Sequence, residues 1–418
     1  MTALLYRLGI GLMRMFLSIH ALFNQKSALA VSGRKNLFTN LEEALKNNNK
    51  TVVWFHCASL GEFEQGRPLI EYFSAHHDFF ILLTFFSPSG FEVRKNYEQA
   101  DYVTYMPFDT QSNASRFVAI VQPKFAFFIK YEFWYYHLKA LENANCWTYS
   151  VATILRSDQT YFKWYGVFNR KILKKIDHFF VQNSTTAALL KSININNIKV
   201  SGDTRFDRVL SIAGKAEEVE VCKDFCRHNK VLIGGSTWEA DVQVIAPFLQ
   251  ANKDWKALIA PHDISEANLK THENILNLKT ERFSNIHTKA ATETQVIIID
   301  NIGMLTSLYH YGTVAFIGGA FGAGLHNTLE AACFGLPIFF GDKHYQKFQE
   351  ANELLEIKAA QTVSNAAAFN QKLSADIDHL LLHARGEESK NYVLKNAGAI
   401  DKIIQHIEPI ITKLNAER

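Results

Sequence analysis

Cysteine is scarce in this sequence: five in 418 residues, an odd number scattered over a long chain. That excludes a disulfide framework and fits a reducing compartment. Cys222 and Cys226 stand one helical turn apart. No histidine or second cysteine pair lies near them at zinc-ligand spacing, so they read as a half-buried thiol pair and no metal is expected. Charge of one sign is also missing. The 44 basic residues against 41 acidic ones leave +3, too weak a field to argue for nucleic acid as a partner. Internal repeats, low-complexity segments and an uncharged apolar run of about 18 residues, long enough to span a bilayer, are absent as well. What is present is a 48% hydrophobic chain long enough for two domains, each with its own core.

The first two dozen residues are the most unusual of the amino-terminal half. On a helix, Arg7, Gly11, Arg14 and Ser18 form one stripe, while Leu4, Leu5, Leu8, Leu12, Met13 and Phe16 occupy the rest. This describes a segment, residues 1–30, that lies in a membrane interface with its basic side toward headgroups. A core-packed amphipathic helix has the same periodicity, and a signal peptide fits less well because arginines interrupt the apolar run and no small-residue cleavage site follows. Arg34 and Lys35, just downstream, suit either anionic lipid or solvated surface.

From Thr51 the pattern changes to apolar runs separated by helical stretches: 51–58, 79–86, 102–108, 125–129, 147–152, 178–182 and 198–201. A second series follows at 230–234, 255–260, 295–300, 314–317 and 337–340. The expected fold class is α/β: parallel sheets with helices on both faces, in two Rossmann-like domains facing across a cleft. The expected divisions are 31–205 and 206–395, with a C-terminal helical segment, 396–418, able to cross back to the first domain. Ligands of such domains bind at the carboxyl ends of the strands.

Five motifs stand at those ends. H-C-A-S-L-G-E, His56 to Glu62, makes a tight turn at Ser59 and Gly61 and sets Glu62 at the head of a helix. Glu62 there serves either as a general base or as a complement to the helix dipole. K-Y-E-F-W, Lys130 to Trp134, follows another strand and is read as extended, with Lys130 and Glu132 pointing the same way. A surface ion pair is the ordinary alternative. In G-D-T-R-F-D, Arg205 either balances charge on a leaving group or holds Asp203 and Asp207. G-G-S-T-W-E carries Ser236 and Thr237 on a turn that opens a helix. Val314 to Glu350 contains a strand, a glycine-rich loop and a helix expected to start near Asn327, so that free N–H groups and the helix dipole converge on an anion. Glu330, three residues into that helix, suits ribose hydroxyls. Tight strand-to-helix packing is the alternative reading of those glycines.

In this order the motifs resemble the 3-deoxy-D-manno-octulosonic acid (Kdo) transferases of lipopolysaccharide synthesis, over nearly the whole chain. The resemblance implies the GT-B fold and transfer of Kdo from CMP-Kdo to a glucosamine hydroxyl of a lipid A precursor, with inversion. It also implies no metal and no cofactor beyond the donor substrate, no nucleic acid, and a place on the cytoplasmic face of the bacterial inner membrane. Glu62 matches the family's proton acceptor, and Glu132 and Arg205 match positions that stabilise the transition state. Ser59, Gly61 and Lys130 would then face the acceptor. For CMP, the resemblance points to Ser236 and Thr237, to Pro261 and His262, to Ile302, Gly303 and Met304, and to Asn327, Thr328, Leu329 and Glu330. This chain departs from the family pattern at His262, where an Arg is usual, and at Lys130, Met304 and Thr328. Two rival readings are a GT-B enzyme that uses a UDP-sugar and a catalytically silent, membrane-bound nucleotide-binding protein.

Overall fold

A computed structural model of the chain describes residues 2–286 and 294–416. Residues 1, 287–293 and 417–418, and with them the extreme ends of the 1–30 and 396–418 segments, lie outside the described residues. The chain divides into two compact units, Met1–Arg208 with Ala397–Arg418, and Val209–Asn396.

The first unit is built on seven parallel strands: β1 (Thr51–Cys57), β2 (Phe79–Phe85), β3 (Tyr102–Tyr105), β4 (Phe125–Ile129), β5 (Trp147–Thr153), β6 (His178–Val181) and β7 (Ile198–Val200). Their order is β3-β2-β1-β4-β5-β6-β7. β1 and β2 are buried at every position, because helices cover both faces of the sheet and leave no solvated side for polar alternation. Val53, Phe55 and Cys57 enter one core layer, and Val52 and Trp54 the other.

The helix Ala399–Ala416 belongs to this unit. Ile403, Ile407 and Ile411, spaced at one helical turn, are buried beside Phe55 and Phe127. Asp207 accepts the N–H groups of Gly398 and Ala399 at 3.0 and 3.1 Å, which satisfies donors that an opening helix leaves free.

The second unit repeats the plan with β8 (Lys230–Thr237), β9 (Trp255–Pro261), β10 (Thr280–Arg282), β11 (Val296–Ile298), β12 (Val314–Ile317), β13 (Ile338–Gly341) and β14 (Ala360–Val363), in the order β10-β11-β9-β8-β12-β13-β14. The edge strands β10 and β14 carry polar residues and are too short to register as apolar runs, so the sequence does not signal them.

At the amino terminus, the helix Thr2–His20 has two apolar faces rather than one. Tyr6 and Ile10 pack inward, with the Tyr6 ring 5.7–5.9 Å from the rings of Tyr135, Tyr136 and Phe168. On the opposite side Leu4, Leu5, Leu8, Leu12, Met15, Phe16 and Ile19 are exposed. Arg7 and Arg14 lie along one seam between these faces; of the expected apolar remainder, Leu4, Leu5, Leu8, Leu12 and Phe16 are exposed, and the residues packed against protein, Tyr6 and Ile10, form a further apolar face outside that list. Arg34 also departs from expectation. Its guanidinium donates to the carbonyls of Ala30, Phe86 and Met106 at 2.7–2.9 Å and lies over the rings of Phe86, Tyr105 and Phe108. It is a structural clamp, neither a lipid contact nor solvated, whereas Lys35 is exposed.

Candidate active site

In each unit the strand order reverses at one place, between β1 and β4 in the first and between β8 and β12 in the second. Loops leaving the carboxyl ends of two such strands diverge and open a crevice for a ligand. The candidate residues gather at these two points.

In the first unit, β1 runs into the turn Ala58–Ser59 and then the helix Leu60–His76, whose first turn carries Glu62. The Ser59 hydroxyl donates to Glu62 Oε2 instead of capping the helix. Lys130 leaves the neighbouring β4 with φ +64°, in the left-handed region. The expected extended segment is therefore a turn, and the turn swings Lys130 Nζ to 3.8 Å from Glu62 Oε1. Glu132 joins the pair. Burial, with the neighbouring Glu62 carboxylate adding to it, pushes Glu132 up to about 7, while the Trp134 indole N–H, 3.1 Å from Oε2, acts in the opposite sense. A buried carboxyl held toward its neutral form near a second carboxylate, which itself pairs with an ammonium, is an arrangement that can take part in proton transfer.

His56 opens the same motif, yet it is a core residue. Its Nδ1 lies 2.8 Å from Thr84 Oγ1, and burial followed by the neighbouring His137 drives it down to about 3, so it stays neutral. Gly61 is exposed. Arg205 donates from Nε and Nη2 to Asp203 Oδ2 at 2.9 and 2.8 Å. Asp203 Oδ1 accepts from Gln65 Nε2 at 3.1 Å, one turn beyond Glu62 on its helix. Of its two sequence readings, holding Asp203 is visible, while Asp207 caps the C-terminal helix.

In the second unit, the loop after β12 spans Gly318 to Thr328, and the helix beyond it is only Leu329–Cys333. The expected start near Asn327 is thus too early, and five residues carry little dipole. The loop N–H groups differ from expectation as well. Those of Gly318, Gly319, Gly322, Gly324 and His326 are all bonded, to Gly235 O, Asp241 Oδ2, Gly319 O, Gly319 O and Gly318 O. Gly319, at φ +93°, could not carry a Cβ without striking the Gly324 carbonyl oxygen. The glycines fold the loop onto itself, and these five N–H groups are not free for an anion.

Three aromatic side chains gather beside this loop. Trp238, His262 and His326 form a stack: ring centroids lie 4.6 Å apart for Trp238 with His262 and for His262 with His326, and the Trp238 indole N–H donates to His326 Nε2 at 3.1 Å. Burial, then His262, pushes His326 down to about 4. Asp241 anchors the group by accepting the N–H of Trp238 and of Gly319, and burial raises it to about 6 despite those bonds.

Glu330 accepts from the Thr306 hydroxyl and from Asn327 Nδ2, both at 3.0 Å. Thr306 belongs to the short helix that follows Ile302, Gly303 and Met304, so one carboxylate brings the two expected nucleotide segments together. Ile302 is 89% exposed, whereas Thr237, Pro261, Thr328 and Leu329 are buried and shape the loops from beneath. Ser236 takes φ +51° and is partly exposed. Trp238, Asp241, Thr306 and His326 were missing from the sequence reading. Trp238 and His326 sit inside motifs already noticed, but nothing in sequence pairs residues 88 positions apart.

Two doubly wound α/β units in tandem, each with its functional groups at a switch point, define the GT-B class. Solved structures of similar fold include a UDP-N-acetylglucosamine 2-epimerase (13% identity, 86% of this chain and 95% of that one, TM-score 0.58) and Acinetobacter baumannii MurG (12%, 86% and 99%, TM-score 0.53). Residues 34–208 match the family model described as 3-deoxy-D-manno-octulosonic-acid transferase (kdotransferase). The 3-deoxy-D-manno-octulosonic acid transferase of Aquifex aeolicus is 28% identical over 327 residues, covering 76% of this chain and 83% of the relative. That of Rickettsia bellii is 24% identical over 384 residues, covering 88% and 89%. These likenesses, which together cover most of the chain, support the Kdo transferase family, and with the fold they support a Kdo glycosyltransferase.

Proposed function

We propose that the protein transfers Kdo from CMP-Kdo to a glucosamine hydroxyl of a lipid A precursor, inverting the anomeric centre, without a metal. The observation that carries this reading is the Ser59–Glu62–Lys130–Glu132 group at the β1/β4 switch point. Glu62 takes the proton from the acceptor hydroxyl as its oxygen attacks the anomeric carbon of Kdo. The bond from that carbon to the CMP phosphate oxygen breaks, and CMP leaves with the electron pair. Lys130 orients Glu62, and Glu132, with its ionisation shifted toward neutrality, can donate a hydrogen bond to an acceptor oxygen.

The second unit holds the nucleotide. Glu330 suits ribose hydroxyls, and the Trp238–His262–His326 stack offers an aromatic face and imidazoles to base and phosphate. Arg205, anchored on Asp203, is assigned to charge on the departing group. The exposed leucine face of the N-terminal helix supports attachment to a membrane surface, and the proposed acceptor would make that surface the cytoplasmic face of the inner membrane.

Purified protein, CMP-Kdo and a lipid A precursor, with product mass spectrometry, test this directly. Glu62→Gln is expected to lower turnover on the order of 10²–10⁴-fold with CMP affinity unchanged. Near-normal turnover in that variant would remove Glu62 as the base.

A further inference from the structure

Away from the switch points, the segment Thr160–Asn194 of the first unit encloses an open hollow of about 400 Å³. Its lining includes Lys163, Trp164, Val167, Arg170, Lys171 and Lys174. Four cations and no carboxylate line it. Lys163, Lys171 and Lys174 have no ion pair among the described residues.

The rim is built, not loose. Arg170 Nη1 donates to the carbonyls of Tyr161 and Lys163 at 3.0 and 2.7 Å. Gly166 passes so close to the Thr160 carbonyl that any Cβ would collide with it. This frame presents Trp164 at 88% exposure, with Tyr165 and Val167 also exposed beside it. Placing a tryptophan, a tyrosine and a valine in water has no benefit to folding, and lysines beside indole and phenol rings are the composition of a membrane–water boundary. The helix Val167–Leu173 touches the N-terminal helix through Phe168 and Tyr6. The element that lines the hollow is therefore a neighbour of the helix with the exposed leucines.

We infer that this hollow is a second membrane contact, a site for the phosphate of an anionic phospholipid, with Trp164 set among the headgroups and Lys163, Lys171 and Lys174 around the phosphate. The inference rests on the membrane reading of the N-terminal helix and adds headgroup selectivity to it. Apolar burial by the helix is indifferent to headgroup charge, whereas cations near an anionic surface are not.

Vesicle co-sedimentation of the full chain at about 0.15 M salt tests it. Vesicles are phosphatidylcholine alone or phosphatidylcholine with phosphatidylglycerol. Wild type is expected to prefer the anionic vesicles by about ten-fold or more. Lys171→Glu/Lys174→Glu, at two exposed positions, should lose that preference while keeping its melting midpoint and its binding to phosphatidylcholine. A double variant that retains the preference overturns the proposal. If, in addition, millimolar inorganic phosphate protects wild type but not the variant against heat, the hollow is reassigned to soluble phosphate. Leu8→Glu/Leu12→Glu reads the helix separately, since it should lose binding to both kinds of vesicle. Kdo transfer to detergent-dispersed acceptor reads the enzymatic assignment independently of either.

Discussion

At the scale of single residues, the site depends on groups held in unusual ionisation states. Glu132 is the clearest. Its folded-state value, about 7, lies above the ordinary carboxylate value near 4.5. Between these the folded protein binds more protons than the unfolded chain, so stability falls as pH rises through that window and is greatest below it. Glu132→Gln removes the charge that burial opposes. It is expected to flatten the loss between about pH 4.5 and 7 and to stabilise the protein at pH 8 by on the order of 1–3 kcal/mol, measured by urea unfolding. Equal slopes for both proteins would show that Glu132 is not buried beside Glu62 as described. The position of Glu62, at the head of a helix after a small-residue turn, was legible in sequence, whereas sequence leaves its role open between a base and a complement to the helix dipole. That Lys130 reaches it was not legible, since the left-handed backbone at Lys130 belongs to a residue type that seldom adopts it.

At the scale of elements, the N-terminal helix does more than present leucines. The Tyr6 hydroxyl donates to Asp109 Oδ2 at 2.5 Å and accepts the Tyr135 N–H at 3.3 Å. Asp109 is fully buried and also accepts the N–H groups of Tyr136 and His137 and lies 2.6 Å from His137 Nδ1. Burial raises the Asp109 carboxyl, and the bonds from His137 and Tyr6 more than offset this, leaving it below its usual value. Tyr6 thus ties a surface helix to the start of the helix Tyr135–Asn143, which follows directly on the Lys130–Trp134 turn. Tyr6→Phe leaves one carboxylate oxygen short of a donor, with an expected cost of about 1–3 kcal/mol in urea unfolding. A loss under half of that would mean that water replaces the hydroxyl. The strand elements were legible because sheets covered on both faces need near-continuous apolar runs. Only β10 and β14, at the edges, escaped, as edges need fewer apolar residues.

At the scale of the whole molecule, the choice between a CMP-sugar and a UDP-sugar donor decides the reading. A nucleotide that binds only the folded state stabilises it by RT ln(1 + [L]/Kd), about 2.7 kcal/mol at a hundred-fold excess over Kd. CMP is expected to raise the melting midpoint and UDP, at the same concentration, to leave it nearly unchanged. The reverse result would favour the UDP-sugar enzyme over the Kdo transfer proposed. Amino-acid order by itself determined the α/β class, the series of strands, and which turns carry carboxylates and glycines, because these follow from local periodicity and backbone sterics. Tertiary structure alone decided what those turns do. Gly235 accepts the Gly318 N–H, Asp241 joins Trp238 to Gly319, Thr306 joins the Met304 turn to Glu330, and His326 stacks on His262. Each is a contact between residues far apart in the chain, fixed by which strands lie side by side at the switch point, and sequence spacing holds no record of that adjacency.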